Sequence, residues 1–117
     1  ELTSAVKQKN LSLEDIVYLS NKIGMEYVEA KQKVERYELL KSSRRAEIME
    51  KHDDGSKSEV KLRRLAEIDK EYLSFLEQLN QAKFEAEKLR IRYDSYKNLF
   101  EARRSMLSYQ KAEMQLL

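Results

Sequence analysis

The chain has 117 residues, 38% of them charged, with two Gly and neither Pro nor Cys. That composition excludes disulfide stapling and thiolate chemistry, and it describes long solvated helices rather than a mixed fold around a wide core. Lys and Arg number 23 against 21 Asp and Glu, and the imbalance is local, residues 83–117 carrying eight cations against five acids.

In chain order, residues 1–11 are expected to be a frayed arm of one helical domain spanning 1–117. Ser12 then reads as an N-cap, with Asp15 three residues on and Leu11 placed to staple against Ile16. A first helix over 12–51 carries the stripe Ile16, Ser20, Ile23, Tyr27, Ala30, Val34, Tyr37, Lys41, Arg44, Ile48. Gly24 interrupts its propensity at a cost of about 1 kcal/mol, but the stripe passes through unbroken. Residues 52–58 are polar, contain Gly55 and supply a reversal.

Past the turn, Ser56-Lys57-Ser58-Glu59 repeats the capping signature, with Ser56 as the expected cap. A second long helix follows over 59–116. Its stripe runs Leu65, Ile68, Tyr72, Phe75, Leu79, Ala82, Ala86, Leu89, Tyr93, Tyr96, Phe100, Arg103, Leu107, Gln110, Met114. Alternating steps of three and four held for this long indicate helix packed along helix, as in a coiled coil. Asp69-Lys70-Glu71 offers a capping pattern for a break near 69, although no Gly or Pro enforces one.

The two stripes satisfy each other in an all-α, long antiparallel helical hairpin with coiled-coil-like packing. A turn centred near Asp54 sets Gly24 against Ala82–Ala86 and leaves the second helix about 30 Å longer than the first. Tyr93, Tyr96, Phe100, Leu107 and Met114 lie on or beside that overhang. An apolar stripe left in water marks a partner surface, so the chain is expected to form a homo-oligomer through its carboxy-terminal helix.

No pattern of an enzyme is present, and neither a cofactor nor a metal is expected. His52 is the only His and stands in the turn without Cys, phosphate loop or a spaced carboxylate partner; Asp53 and Asp54 lack the spacing of a calcium loop. Tyr27, Tyr37, Tyr72, Tyr93 and Tyr96 have rings that stack bases, yet their stripe positions favour packing with the hydroxyl at the rim. Tyr18 and Tyr109 lie off the stripes. Lys41, Arg44 and Arg45 close the first helix, and Lys61, Arg63 and Arg64 open the second, which gathers six cations at the turn end as a candidate phosphate-binding cluster. Lys41 and Arg44 stand at stripe positions where apolar residues belong. The competing reading is a solvated end in which Glu47, Glu50, Asp53, Asp54 and Glu67 pair with those cations. Arg103-Arg104 with Lys97 and Lys111 form a second candidate basic cluster on the overhang; a membrane surface is the alternative there, but it would want a bulky apolar face with Trp or Phe and a stronger basic excess. No run of about 20 apolar residues crosses a bilayer, and no signal or transit pattern is visible; the expected location is the cytoplasm.

The run Arg92-Tyr93-Asp94-Ser95-Tyr96-Lys97-Asn98-Leu99-Phe100-Glu101-Ala102-Arg103-Arg104-Ser105, with Lys111-Ala112-Glu113-Met114, resembles small helical proteins that phages and prophages encode among replication and recombination genes. The plan from about Leu13 onward resembles the UvsY type of recombination mediator: a long basic-ended helix, a Gly-containing acidic turn, then further helices ending in a Lys-rich carboxy-terminal region. That resemblance implies an oligomer that binds single-stranded DNA and helps load a RecA-like recombinase against single-strand-binding protein, in the host cytoplasm. It places the family's basic stretch before the turn on Lys41, Arg44 and Arg45. The doubled Arg, shorter turn and more regular stripe depart from the family and put its ring stoichiometry in doubt. The alternative reading is a structural coiled-coil scaffold, or a phage inhibitor, acting through protein contacts without nucleic acid.

Overall fold

The computed structural model describes residues 11–116. Helices are the regular elements of the described residues: α1 is Leu13–His52, α2 is Glu59–Glu67 and α3 is Lys70–Leu116. The all-α hairpin expectation holds, with α1 and α3 packed antiparallel. The described residues divide into two compact units, one of residues 11–27 with 88–116 and the other of residues 28–87. The arm expected at residues 1–11 lies, apart from Leu11, outside the described residues.

In the unit of residues 11–27 with 88–116, α1 opens with a reciprocal cap. The Asp15 amide donates to Ser12 Oγ at 3.1 Å, and the Ser12 amide donates to Asp15 Oδ2 at 3.3 Å. Each bond satisfies a donor that the first turn leaves without a helical partner. Ile16, one turn in, is fully buried, as is Tyr96 of α3. Gly24 faces Tyr93: a Cβ built on it would stand 3.1 Å from Tyr93 Cε1. The expected pairing of Gly24 with Ala82–Ala86 is thus corrected by about nine residues, which is the length of α2. Tyr96, expected to have little opposite it, is 1% exposed.

In the unit of residues 28–87, the paired helices meet at their ends through His52 and Asp69, Nε2 to Oδ2 at 2.7 Å. Residues 53–68 form an excursion that contains α2. The second helix is divided, and the division falls where Asp69-Lys70-Glu71 offers a break. Ile68, on the expected stripe, caps the carboxyl end of α2 and is 71% exposed. Asp69 caps α3, its Oδ1 accepting from the Glu71 amide at 2.8 Å and its carbonyl from the Leu73 amide at 2.9 Å. The cap of α2 is Ser58, whose hydroxyl accepts from the Lys61 amide at 3.2 Å, and not Ser56. Ser56 is engaged otherwise: its hydroxyl and amide both donate to Asp54 Oδ1, at 2.6 and 2.9 Å. Gly55 has φ 86°, the left-handed conformation that tightens this turn.

α2 folds back through Leu62 and Ala66, and Ala66 joins Ile48 of α1 and Tyr72 of α3 in a buried cluster flanked by Met49 and Leu76. Along α3, Tyr72, Phe75, Leu79, Ala82 and Ala86 are buried at alternating steps of three and four, as the stripe requires. With α2 separate, α3 exceeds α1 by seven residues. That is about 10 Å rather than the expected 30 Å.

Candidate nucleic-acid interface

All six cations selected from the sequence belong to the unit of residues 28–87. Lys41, Arg44 and Arg45 lie in the last third of α1, and Lys61, Arg63 and Arg64 occupy α2. They differ in engagement. Arg44 pairs with Glu47 at 3.4 Å and Arg63 with Glu59 at 3.4 Å, each within its own helix and exposed. Lys41, Arg45, Lys61 and Arg64 make no ion pair with a described residue. Lys41 acts at longer range, contributing with Lys83, the nearer partner at 2.9 Å, to a lowered pKa of Glu38.

The solvated-end alternative expected Glu47, Glu50, Asp53, Asp54 and Glu67 to neutralise this cluster. Glu47 does so for Arg44. Asp54 instead serves the turn, accepting from Lys57 Nζ at 3.0 Å besides its Ser56 bonds. Those bonds, the Ser56 hydroxyl first, hold its carboxyl below the usual carboxylate range. Asp53 accepts from the Gly55 amide at 2.9 Å.

The bond from His52 anchors Asp69, and Lys51 Nζ stands 3.8 Å from the same carboxylate and 3.2 Å from Glu71 Oε1. The His52 bond, then the Glu71 amide, hold the Asp69 carboxyl below its ordinary pKa. Among the described residues no group of three His, Cys, Asp or Glu is placed to hold a metal ion, and no helix is long and apolar enough to cross a membrane.

Arg44 also stands over the Phe75 ring, its guanidinium carbon 5.8 Å from the centroid. Tyr37 meets the same ring edge-on, centroids 5.6 Å apart, and its hydroxyl donates to Gln78 Oε1 at 3.5 Å. Arg44 shares a hollow with Lys70, Ser74, Phe75 and Gln78 of α3, residues the sequence reading did not select. The signal was nevertheless present: a cation at a stripe position faces the opposite helix, so Lys41 and Arg44 pointed toward α3 rather than toward α2. No described contact joins the α1 trio to the α2 trio.

The remaining selected residues separate by burial. Tyr72 and Tyr96 are buried, whereas Tyr18 and Tyr109 are 68% and 66% exposed. In the unit of residues 11–27 with 88–116, Tyr93 and Phe100 are half-buried, while Leu107 and Met114 are 51% and 74% exposed. Arg103, on the stripe, donates to the Leu11 carbonyl at 3.0 Å and so ties α3 to the residue before the α1 cap. Comparison of the chain with protein-family models, with curated protein sequences and with solved structures gives no match.

Proposed function

We propose that this chain is a single-stranded DNA-binding accessory protein that works as a homo-oligomer, in the manner of a recombination mediator that assists a RecA-like recombinase against single-strand-binding protein. It acts by binding and not as an enzyme. One observation carries the reading: Lys41, Arg45, Lys61 and Arg64 lie in one compact unit and form no ion pair with a described carboxylate, while Arg44 and Arg63 beside them are paired. Unpaired surface cations keep their counterions, and release of those counterions drives phosphate binding. The resemblance of the residues 92–105 to phage recombination proteins supplies the biological setting.

The test is charge reversal at Lys41 and Arg45 together. Neither residue holds an ion pair with a described residue, so Lys41→Glu/Arg45→Glu should keep wild-type helicity and lose more than about tenfold in affinity for a labelled single-stranded oligonucleotide. Unchanged affinity removes the proposal.

A second reading, a scaffold or inhibitor acting through protein contacts, is favoured by large apolar side chains in water. In α3 these include Phe84 at 57%, Ile91 at 53%, Met106 at 57% and Met114 at 74% exposure. A defined oligomer that binds no oligonucleotide at low salt is the outcome that reading requires.

A further inference from the structure

One hollow assembles the chemistry that holds an unstacked base. It lies within the unit of residues 28–87, between α1 and α3, and has a volume of about 510 Å³. Its floor is Phe75, 6% exposed. Tyr37, edge-on at 5.6 Å and bonded to Gln78, holds that ring in place. Its roof is the Arg44 guanidinium. Aromatic rings and guanidinium planes are the two surfaces on which proteins stack unpaired bases.

The spacing is close to what a base needs. Two stacking separations of about 3.5 Å make about 7 Å, against the 5.8 Å between Arg44 and the ring centroid. Entry of a base therefore asks Arg44 to move outward by about 1 Å. Its side chain is 56% exposed and is drawn to a surface carboxylate, Glu47, so the movement meets little resistance.

The rim suits a nucleotide. Lys70 lies at the edge of the hollow, and Ser74 and Gln78 offer a hydroxyl and an amide to a base edge. Glu71 also lines it, but its carboxylate is engaged by Lys51 at 3.2 Å. Lys41 stands one helical turn before Arg44. This placement gives a reason for two cations on a mostly apolar stripe.

We propose that this hollow is a stacking subsite that takes one unpaired nucleobase of a DNA single strand between Phe75 and Arg44, with the adjoining phosphates on Lys41 and Lys70. The proposal rests on the single-stranded DNA reading above and deepens it.

The experiment compares the full chain's affinity for oligo-dT and for an abasic deoxyribose-phosphate strand of equal length. Oligo-dT should bind roughly tenfold more tightly. Ser74→Leu, which fills the hollow from an exposed position, and Phe75→Leu, which removes the ring, should each bring that ratio close to one and leave affinity for the abasic strand unchanged. Circular dichroism checks that both variants keep wild-type helicity, and the exposed Ser74 position carries the test where the core variant unfolds. Equal binding of both strands by the wild type overturns the subsite while the DNA reading stands. Binding of neither strand overturns both. A tenfold ratio that persists in the folded variants places the stacking elsewhere and overturns the subsite.

Discussion

Asp69 shows how one side chain fixes a local geometry. It accepts from His52, caps α3 through the Glu71 amide and lies near Lys51, so its carboxylate form is favoured by folding. A carboxyl whose pKa is lowered in the fold contributes stability at pH above its unfolded value, and that contribution is lost as pH falls through the folded value. Asp69→Asn should therefore lower the melting temperature at pH 7, and its difference from the wild type should shrink progressively below about pH 4. A constant difference across that range would refute the assignment. Gly24 offers a second test at this scale. Ala at this site improves helix propensity by about 1 kcal/mol, but its Cβ meets Tyr93 Cε1 at 3.1 Å. Tyr93 is half-buried and carries Lys97 5.3 Å from its ring, so the ring can yield by tenths of an ångström. Urea unfolding should find Gly24→Ala within about 1 kcal/mol of wild type and Gly24→Leu destabilised by about 2 kcal/mol.

At the scale of elements, α2 decides what was legible in the sequence. The α3 stripe from Tyr72 to Tyr96 and the Ser12–Asp15 cap were readable because each is a local pattern: a fixed step repeated, or a donor and acceptor three residues apart. The excursion was not. Leu65 and Ile68 continue the α3 stripe in sequence, so periodicity alone threads one helix through residue 69. A break near 69 is legible locally in Asp69-Lys70-Glu71, whose cap forms, but the fold-back of residues 53–68 rests on tertiary contacts that no local window contains, namely His52 to Asp69 and Ala66 against Ile48 and Tyr72. Its consequence is the displaced pairing of Gly24. The two serines before α2 differ for a similar reason, since both fit a capping pattern and only Ser58 meets the Lys61 amide. Ser58→Ala should cost about 1 kcal/mol and raise hydrogen exchange at Lys61. Ser56→Ala should leave that amide protected and disturb the Asp54 turn instead; faster exchange at Lys61 in the Ser56 variant would count against this placement of the cap.

For the whole molecule, a helical hairpin leaves much of each helix in water, and here that surface includes many large apolar side chains. Leu73 and Phe84 in one unit, and Ile91, Leu107 and Met114 in the other, are about half exposed or more. Assembly would cover them. Light scattering should return a multiple of the 13.9 kDa chain mass, reduced in Leu107→Glu/Met114→Glu without loss of helicity; a monomer in the wild type would remove the oligomer proposal. The candidate site was partly legible in the same way as the fold. Lys41 and Arg44 stand out because cations on an apolar stripe are out of place, and Arg45 because it joins them at the basic end of α1, whereas Lys70, Ser74 and Gln78 carry no such mark and become neighbours of Arg44 only when α3 folds against α1.

The central claim is that cations of the 28–87 unit bind the phosphates of a DNA single strand. Its most direct test is fluorescence-anisotropy titration of a labelled single-stranded oligonucleotide with the full chain across a salt series. Engagement of four to six phosphates predicts binding that is tight at low salt and weakens with a log–log slope of about −3 to −4. No binding at low salt, or an affinity that salt leaves unchanged, would contradict it.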